Sequence, residues 1–356
     1  MNKKLLKNMD WGVLICVFIL LAIGMIALFS TTQNSGHDEF IKQIVWFIIS
    51  IPFCIMAVVI DYERLLKIAP AFYGICLFLL ALVLFTTPIN GARSWFLIGP
   101  LSFQPSEFGK IALIMFMAYS LNLIQARGKK EINKFHKLLV VLLIAALPLG
   151  LIVIEPDFGT ATAYIFATIF IIFVSGIDKK YIILALLLLA IIVPAVYLNL
   201  PEHALQRIEV FMHPDSDPRG AGYNIIQSKL AIGAGRIFGM GILQGNQTQL
   251  GYLHPKTTDF IFSAIGEEMG FVISATIIIT YTILITKIIY IAKTARDNIG
   301  SYIAIGIAGI LCFHMIENIG MTMGILPITG VPLPFVSYRR KFTSNKLHMY
   351  RLSIKY

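Results

Sequence analysis

The sequence predicts an all-α, polytopic transmembrane helical bundle with one large loop, and three observations carry that prediction. The chain is 57% hydrophobic and only 13% charged, where a soluble domain carries about a quarter charged residues. Its apolar residues come in runs of about 18 to 22, long enough to cross roughly 30 Å of hydrocarbon. The cations gather in short segments between those runs, as topology determinants do, and not on one soluble face. The formal charge of +10 is therefore read as a membrane signal: lipid is the partner, and nucleic acid is not.

Apolar runs and breakers place nine spans, at 11–30, 41–60, 70–86, 106–124, 138–154, 159–176, 181–199, 260–290 and 301–323. The eighth is longer than a crossing requires and is read as partly interfacial. Lys3, Lys4 and Lys7 precede the first run as in a signal peptide. That run is too long, however, and no small-residue cleavage site follows, so it reads as a retained span. Alternate connections are basic: the N-terminus, Arg64 with Lys67, Arg127 to Lys137, Lys179 with Lys180, and Lys287 to Arg296. The positive-inside rule makes these cytoplasmic. The opposite set, 30–40, 86–105, 155–158 and the long loop at about 200–259, then faces outward, with Asp259 at the outer surface. Cys16, Cys54, Cys76 and Cys312 all lie inside apolar runs, which supplies neither a disulfide framework nor a metal-ligand spacing.

Two outward loops are dense in turn formers and polar groups, and a loop longer than about 12 to 15 residues is commonly functional or disordered. The apolar pattern at 223–230 predicts a short helix within the longer one. Arg93, Arg207, Lys229 and Lys256 stand on the side that positive-inside bias should deplete. Anionic substrate heads account for them, and so do anionic lipid headgroups. Asp259 opens a span, where a carboxylate is often only a cap. Glu267 and Glu268 lie two turns further in, where ionisable groups are functional candidates unless paired with a buried cation. Glu107 and Lys110, three apart, fit an intrahelical ion pair. Glu155 and Asp157 fit a solvated turn, and His314 with Glu317 fits a packed pair on one helix face. Gly233-Ala234-Gly235 and Gly239-Met240-Gly241 suit either a phosphate cradle or close helix packing.

These residues also form an ordered series. Gly91-Ala92-Arg93-Ser94-Trp95 is followed by Gln104-Pro105-Ser106-Glu107-Phe108-Gly109-Lys110, Glu155-Pro156-Asp157-Phe158-Gly159-Thr160, Gly222-Tyr223 and Gln227-Ser228. Then come Thr258-Asp259-Phe260-Ile261-Phe262 with Glu267-Glu268, and Pro327-Ile328-Thr329-Gly330-Val331-Pro332-Leu333-Pro334-Phe335-Val336-Ser337-Tyr338. Together they resemble the SEDS (shape, elongation, division, sporulation) family of RodA and FtsW, and His314 with Asn318-Ile319-Gly320-Met321 leans toward the RodA branch.

The resemblance implies a ten-span peptidoglycan glycosyltransferase of the bacterial cytoplasmic membrane. It implies an enzyme that polymerises lipid II for elongation and cell shape beside a class B penicillin-binding protein transpeptidase. The family's catalytic aspartate falls on Asp259, as general base. Arg93, Trp95, Glu107, Lys110, Arg207, Lys256, Glu267 and Glu268 become substrate-binding candidates. Outward cations such as Arg207, Lys110 and Arg93, or a divalent cation (Mg2+ or Mn2+), would stabilise the departing diphosphate. A lipid II transporter and an inactive scaffold for the transpeptidase are the competing readings.

Two positions depart from the family pattern. Arg236 stands where the family has small residues, commonly glycine, and is expected to crowd the loop. After Tyr338 the family continues Gly-Gly-Ser-Ser into a last apolar span, whereas residues 339–356 form a polar tail appended to the membrane domain of 1–338. Codons AGG AGG AAG TTC ACT TCT AAC AAA would encode Arg339 to Lys346. Without their first base they read GGA GGA AGT TCA CTT CTA ACA, which is Gly-Gly-Ser-Ser-Leu-Leu-Thr. The hypothesis is a one-base insertion just after codon 338. Nucleotide sequencing across it is expected to show a family-like apolar span in a shifted frame, and the absence of one in every frame sinks the idea.

Overall fold

A computed structural model describes residues 10–59, 62–88, 92–98, 101–198, 205, 209–217, 220–253 and 255–338. Within them every predicted span falls on a helix: α1 (Trp11–Thr31), α2 (Asp38–Val59), α3 (Ala69–Val83), α4 (Pro105–Ile124), α5 (Phe135–Ile154), α6 (Phe158–Val174) and α7 (Lys179–Leu198). The short helix expected in the long loop is α8 (Ala221–Ala234), and α9 (Ile261–Thr294) and α10 (Asn298–Thr322) complete the order. One small addition was not expected. A two-stranded antiparallel hairpin, β1 (Phe96–Ile98) and β2 (Leu101–Phe103), pairs Phe96 with Phe103 ahead of α4.

Helix starts are set by short acids and by proline. Asp10 accepts from Gly12 N at 2.8 Å and Val13 N at 3.3 Å, Asp157 from Thr160 N, and Asp297 from Gly300 N, which satisfies donors a helix N-terminus leaves over. Pro105 opens α4 at a position where its missing N–H costs nothing. Asp10 also receives Lys287 Nζ at 3.1 Å, tying the start of α1 to the far part of α9 at the basic end of the bundle.

The core runs through α4, α6, α9 and α10. Leu113, Met117, Ala118 and Leu121 of α4 are fully enclosed, as are Ala304, Ala308 and Leu311 of α10. Small residues allow this closeness. A side chain at Gly309 would meet the Phe166 carbonyl at 2.9 Å, and one at Gly306 would meet Ile171 and Ile114, the membrane pattern in which glycine lets helices approach. By contrast α2 and α7 present rows of exposed Ile, Leu and Val, the surface expected where lipid is the solvent.

The overlong eighth span is broken. Gly270 takes φ 76° and ψ −173°, a region essentially reserved for glycine. The freed backbone groups are taken up by 236–241, which lies alongside. Met240 N and Gly241 N donate to the carbonyls of Glu267 and Glu268, while Phe271 N and Val272 N donate to those of Arg236 and Ile237. The glycines of this segment therefore serve close packing and not a phosphate cradle: a Cβ at Gly239 would sit 2.2 Å from the Glu268 carbonyl oxygen. Arg236 does not crowd the loop, since its side chain is exposed. It adopts φ 51°, the left-handed conformation that glycine takes without cost.

The stretch 327–338 is irregular and threads into the bundle. Leu333, Val336 and Tyr338 are buried, the Tyr281 hydroxyl donates to the Pro334 carbonyl, and Gly24 of α1 gives way to the Val336 backbone. Non-helical backbone at such depth is tolerated only where protein encloses it. Gly270→Ala is expected to lower stability by about 3 kcal/mol or more, from backbone strain plus a Cβ 2.2 Å from Gly239 N. Thermal unfolding of the variant in detergent at the wild-type temperature would contradict the break.

Candidate active site at the loop end

Asp259 lies at the end of the bundle that carries the long loop, half-buried, one residue before the N-cap of α9. That N-cap is Phe260, whose own side chain makes no capping hydrogen bond, so Asp259 stands just outside the position at which a short acid ordinarily caps a helix. Its backbone is fixed from two elements. Asn318 Nδ2, deep in α10, donates to the Asp259 carbonyl at 2.9 Å and to the Val331 carbonyl at 2.8 Å. Tyr338 N donates to Thr257 O at 2.9 Å. Gly330, at φ 70°, is the residue beside the carboxylate: a Cβ there would stand 3.4 Å from Asp259 Oδ2.

On its other side the same 329–331 segment meets the α5–α6 turn. A side chain at Gly159 would strike Val331 Cγ2 at 2.6 Å and approach the Thr329 carbonyl at 3.1 Å. Thr329 Oγ1 donates to Glu317 Oε1 at 2.6 Å, while His314 Nδ1 lies 3.0 Å from the Pro332 carbonyl. Both α10 residues therefore reach the 329–332 segment. Of the acids of the α5–α6 turn, Asp157 is half-buried and bonded to protein, and Glu155 is removed from solvent. Asp157 caps α6, accepts from Thr160 Oγ1 at 2.8 Å and takes Gln104 Nε2 at 3.0 Å. Glu155 is fully buried. Lys110 and Glu107 form the intrahelical pair at 2.7 Å, with side chains only 3% and 5% exposed.

Glu267 and Glu268, at the broken end of α9, hold the loop. Glu267 accepts from Gln247 N at 2.7 Å, Thr248 N at 2.9 Å and Thr248 Oγ1 at 2.6 Å. Glu268 accepts from Gln249 Nε2 at 2.7 Å, and the same amide reaches Ser30 at the end of α1. Lys256 Nζ donates to the Thr248 carbonyl at 2.6 Å. Burial lowers its pKa, and the charges of Glu268 and Glu267 oppose that. These three candidates thus form one network around the 246–249 turn. Arg93 is exposed, its guanidinium donating to the Leu84 carbonyl at 3.2 Å, and Trp95 is half-buried two residues on. Arg207 lies outside the described residues.

Among the described residues no three His, Cys, Asp or Glu side chains converge to hold a metal ion, and the Glu267, Glu268, Asp157 and Glu317 carboxylates accept from protein donors. Among the described residues this donor set does not fit a protein-held divalent cation. Asn318 and Gly330 figure in the sequence only as motif residues, with no part at the site. The available signals were an amide inside an apolar span and a glycine within a proline-rich turn.

Fold and site together define a multi-pass helical membrane protein with a fixed aspartate at the mouth of its bundle. Residues 10–339 match the family described as cell cycle protein, FtsW/RodA/SpoVE, and the chain belongs to that family. It is 30% identical to the peptidoglycan glycosyltransferase RodA of Treponema pallidum, over 93% of each chain. It is 38% identical to the peptidoglycan glycosyltransferase MrdB of Escherichia coli K12, over 76% of this chain and 72% of that one. Among solved structures it superposes with a TM-score of 0.84 and 28% identity on a chain from work on structural coordination of polymerization and crosslinking by a peptidoglycan synthase complex, covering 97% of this chain and 96% of that one.

Removal of the Glu267 carboxylate leaves three donors of the 246–249 turn without acceptors. Glu267→Ala is expected to cost about 3 kcal/mol and Glu267→Gln roughly half as much, read from thermal unfolding. An unchanged melting temperature for Glu267→Ala would show that the turn does not depend on it.

Proposed function

We propose that this chain is a peptidoglycan glycosyltransferase that polymerises lipid II, with Asp259 as general base. One observation carries the reading: Asp259 lies outside the N-cap position, half-buried beside the side-chain-free Gly330, with its backbone clamped by Asn318. A base must be held in place without being buried away from the proton it takes. Asp259 takes the proton from the 4-hydroxyl of one saccharide as that oxygen attacks the anomeric carbon of another. The new C–O bond forms, the bond to the lipid diphosphate breaks, and the diphosphate leaves with its electron pair.

Charge grows on the leaving oxygens, and fixed cations lower that barrier. Of the candidates, Arg93 offers an exposed guanidinium. Lys110 is neutralised by Glu107, and Lys256 supports the loop. Arg93 is therefore assigned to the diphosphate, together with Arg207. Trp95 is assigned to the saccharide face, and Glu107, Lys110, Lys256, Glu267 and Glu268 to shaping the site. Any Mg2+ or Mn2+ is assigned to the diphosphate oxygens of the substrate itself.

The basic connections support a cytoplasmic N-terminus and a loop end outside a bacterial cytoplasmic membrane. There the lipid tail stays in the bilayer while the sugar head stands in water. Kinship with RodA and MrdB supports a role in elongation and cell shape, and the resemblance to a polymerising and crosslinking complex supports a class B transpeptidase as partner. The break in α9 resembles the broken helices of transporters, but its freed carbonyls at Glu267 and Glu268 accept from Met240 N and Gly241 N, so protein donors already occupy them. Purified protein given lipid II is expected to form glycan polymer, and Asp259→Ala to lower the rate by about 10²- to 10⁴-fold. Polymer formed at the wild-type rate by that variant refutes the base. Translocation without polymer supports the transporter, and partner binding with neither supports the scaffold.

A further inference from the structure

Glu155 closes α5 with its N–H on the Leu151 carbonyl, and its own carbonyl accepts from Arg93 N at 3.3 Å. Its side chain is 0% exposed, and neither carboxylate oxygen has a hydrogen-bond partner. The Ser94 hydroxyl, also buried and without a partner of normal geometry, lies close enough to favour the charged form. Burial outweighs it. Desolvation, with the like charge of Asp157 added, pushes the carboxyl up to about 8. The other titratable groups that face it are Tyr164 on α6, which Glu107 of the Glu107–Lys110 pair on α4 also faces, and Arg93 on the segment bonded to its carbonyl. A buried carboxylate without donors is costly, whereas a neutral acid can donate to a neighbouring hydroxyl.

Resting on the glycosyltransferase reading above, we propose that Glu155 is a positioning residue. As a neutral acid it donates its proton to the Ser94 hydroxyl and seats the Arg93–Ser94–Trp95 segment on the α5–α6 turn, which holds the Arg93 guanidinium at the diphosphate. Arg93 itself cannot be reached by this bond, so the effect passes through the backbone: the Arg93 N–H and the Ser94 side chain are both anchored to one residue. The folded chain keeps this proton to higher pH than an unfolded one, whose carboxyl titrates at its ordinary value of 4.5. The contribution to stability is therefore full below that value and is lost as pH rises through about 8.

The test follows Trp95 emission in a Trp11→Phe, Trp46→Phe background from pH 6 to 9.5, beside polymerisation of lipid II. With Glu155 present, emission is expected to change in one transition near pH 8, with polymerisation falling about tenfold per pH unit above it. Glu155→Gln, neutral throughout and still a donor, is expected to show neither change, and Glu155→Asp to keep a transition at a shifted pH. Glu155→Ala should give the high-pH emission already at pH 6; where it does not fold, the Gln and Asp variants decide. An identical transition in Glu155→Gln, or loss of activity in that variant at pH 6.5, overturns the proposal. A Glu155-dependent transition in a chain that makes no polymer supports the seating and counts against the glycosyltransferase reading instead.

Discussion

Everything at the loop end depends on one requirement of the bilayer, that no backbone amide or carbonyl inside it be left without a partner. Among the described residues the helical regularity is broken at Gly270 in α9 and along 327–338, and each break is closed by protein groups. The 236–241 segment pairs with both sides of the Gly270 break. Asn318, Tyr281 and Ser337 take up groups of the second stretch. Irregular backbone is what brings Asp259, Gly330 and the α5–α6 turn to one place, and an unbroken helix could not do so.

The electrostatics follow a similar division. Near the mouth of the bundle most carboxylates are committed to protein donors: Glu107 to Lys110, Asp157 to Gln104 and the start of α6, Glu267 and Glu268 to the 246–249 turn, Glu317 to Thr329. Pairing of this kind offsets the cost of removing charge from water, though it adds little net stability when both partners are buried. The gain is a set of fixed positions around an aspartate whose backbone is held and whose carboxylate faces a residue without a side chain.

Much of this was legible in the amino-acid order, because hydropathy over twenty residues responds to the bilayer alone. Each span fell on its helix, and the excess length of the eighth was the trace of the Gly270 break, although its location needed the partner segment. Asp259 emerged from an ordered series of motifs; spacing alone left it a cap. The rest depends on contacts between distant stretches. Asn318 reads as one amide in an apolar span until its two carbonyl partners, 259 and 331, are known. Glu155 and Asp157 read as solvated because a three-residue turn gives no hint that Gln104, Ser94 and the 329–331 segment pack on it. Glu267, Glu268 and Lys256 gather around one turn that the sequence treats as undifferentiated glycine-rich loop. The expected clash at Arg236 was misjudged in kind, since the side chain clears the loop and the backbone conformation carries the cost.

The seating of Val336 against Gly24 couples a late stretch of the chain to the first helix. During synthesis α1 enters the bilayer long before the residues that fill its notch exist, so it must wait beside lipid or provisional neighbours. Gly330, which walls Asp259, emerges in that same late stretch. The surroundings of Asp259 are thus completed only after α10 has been made, and a ribosome that stalls shortly before codon 330 leaves a bundle of spans with its aspartate unframed.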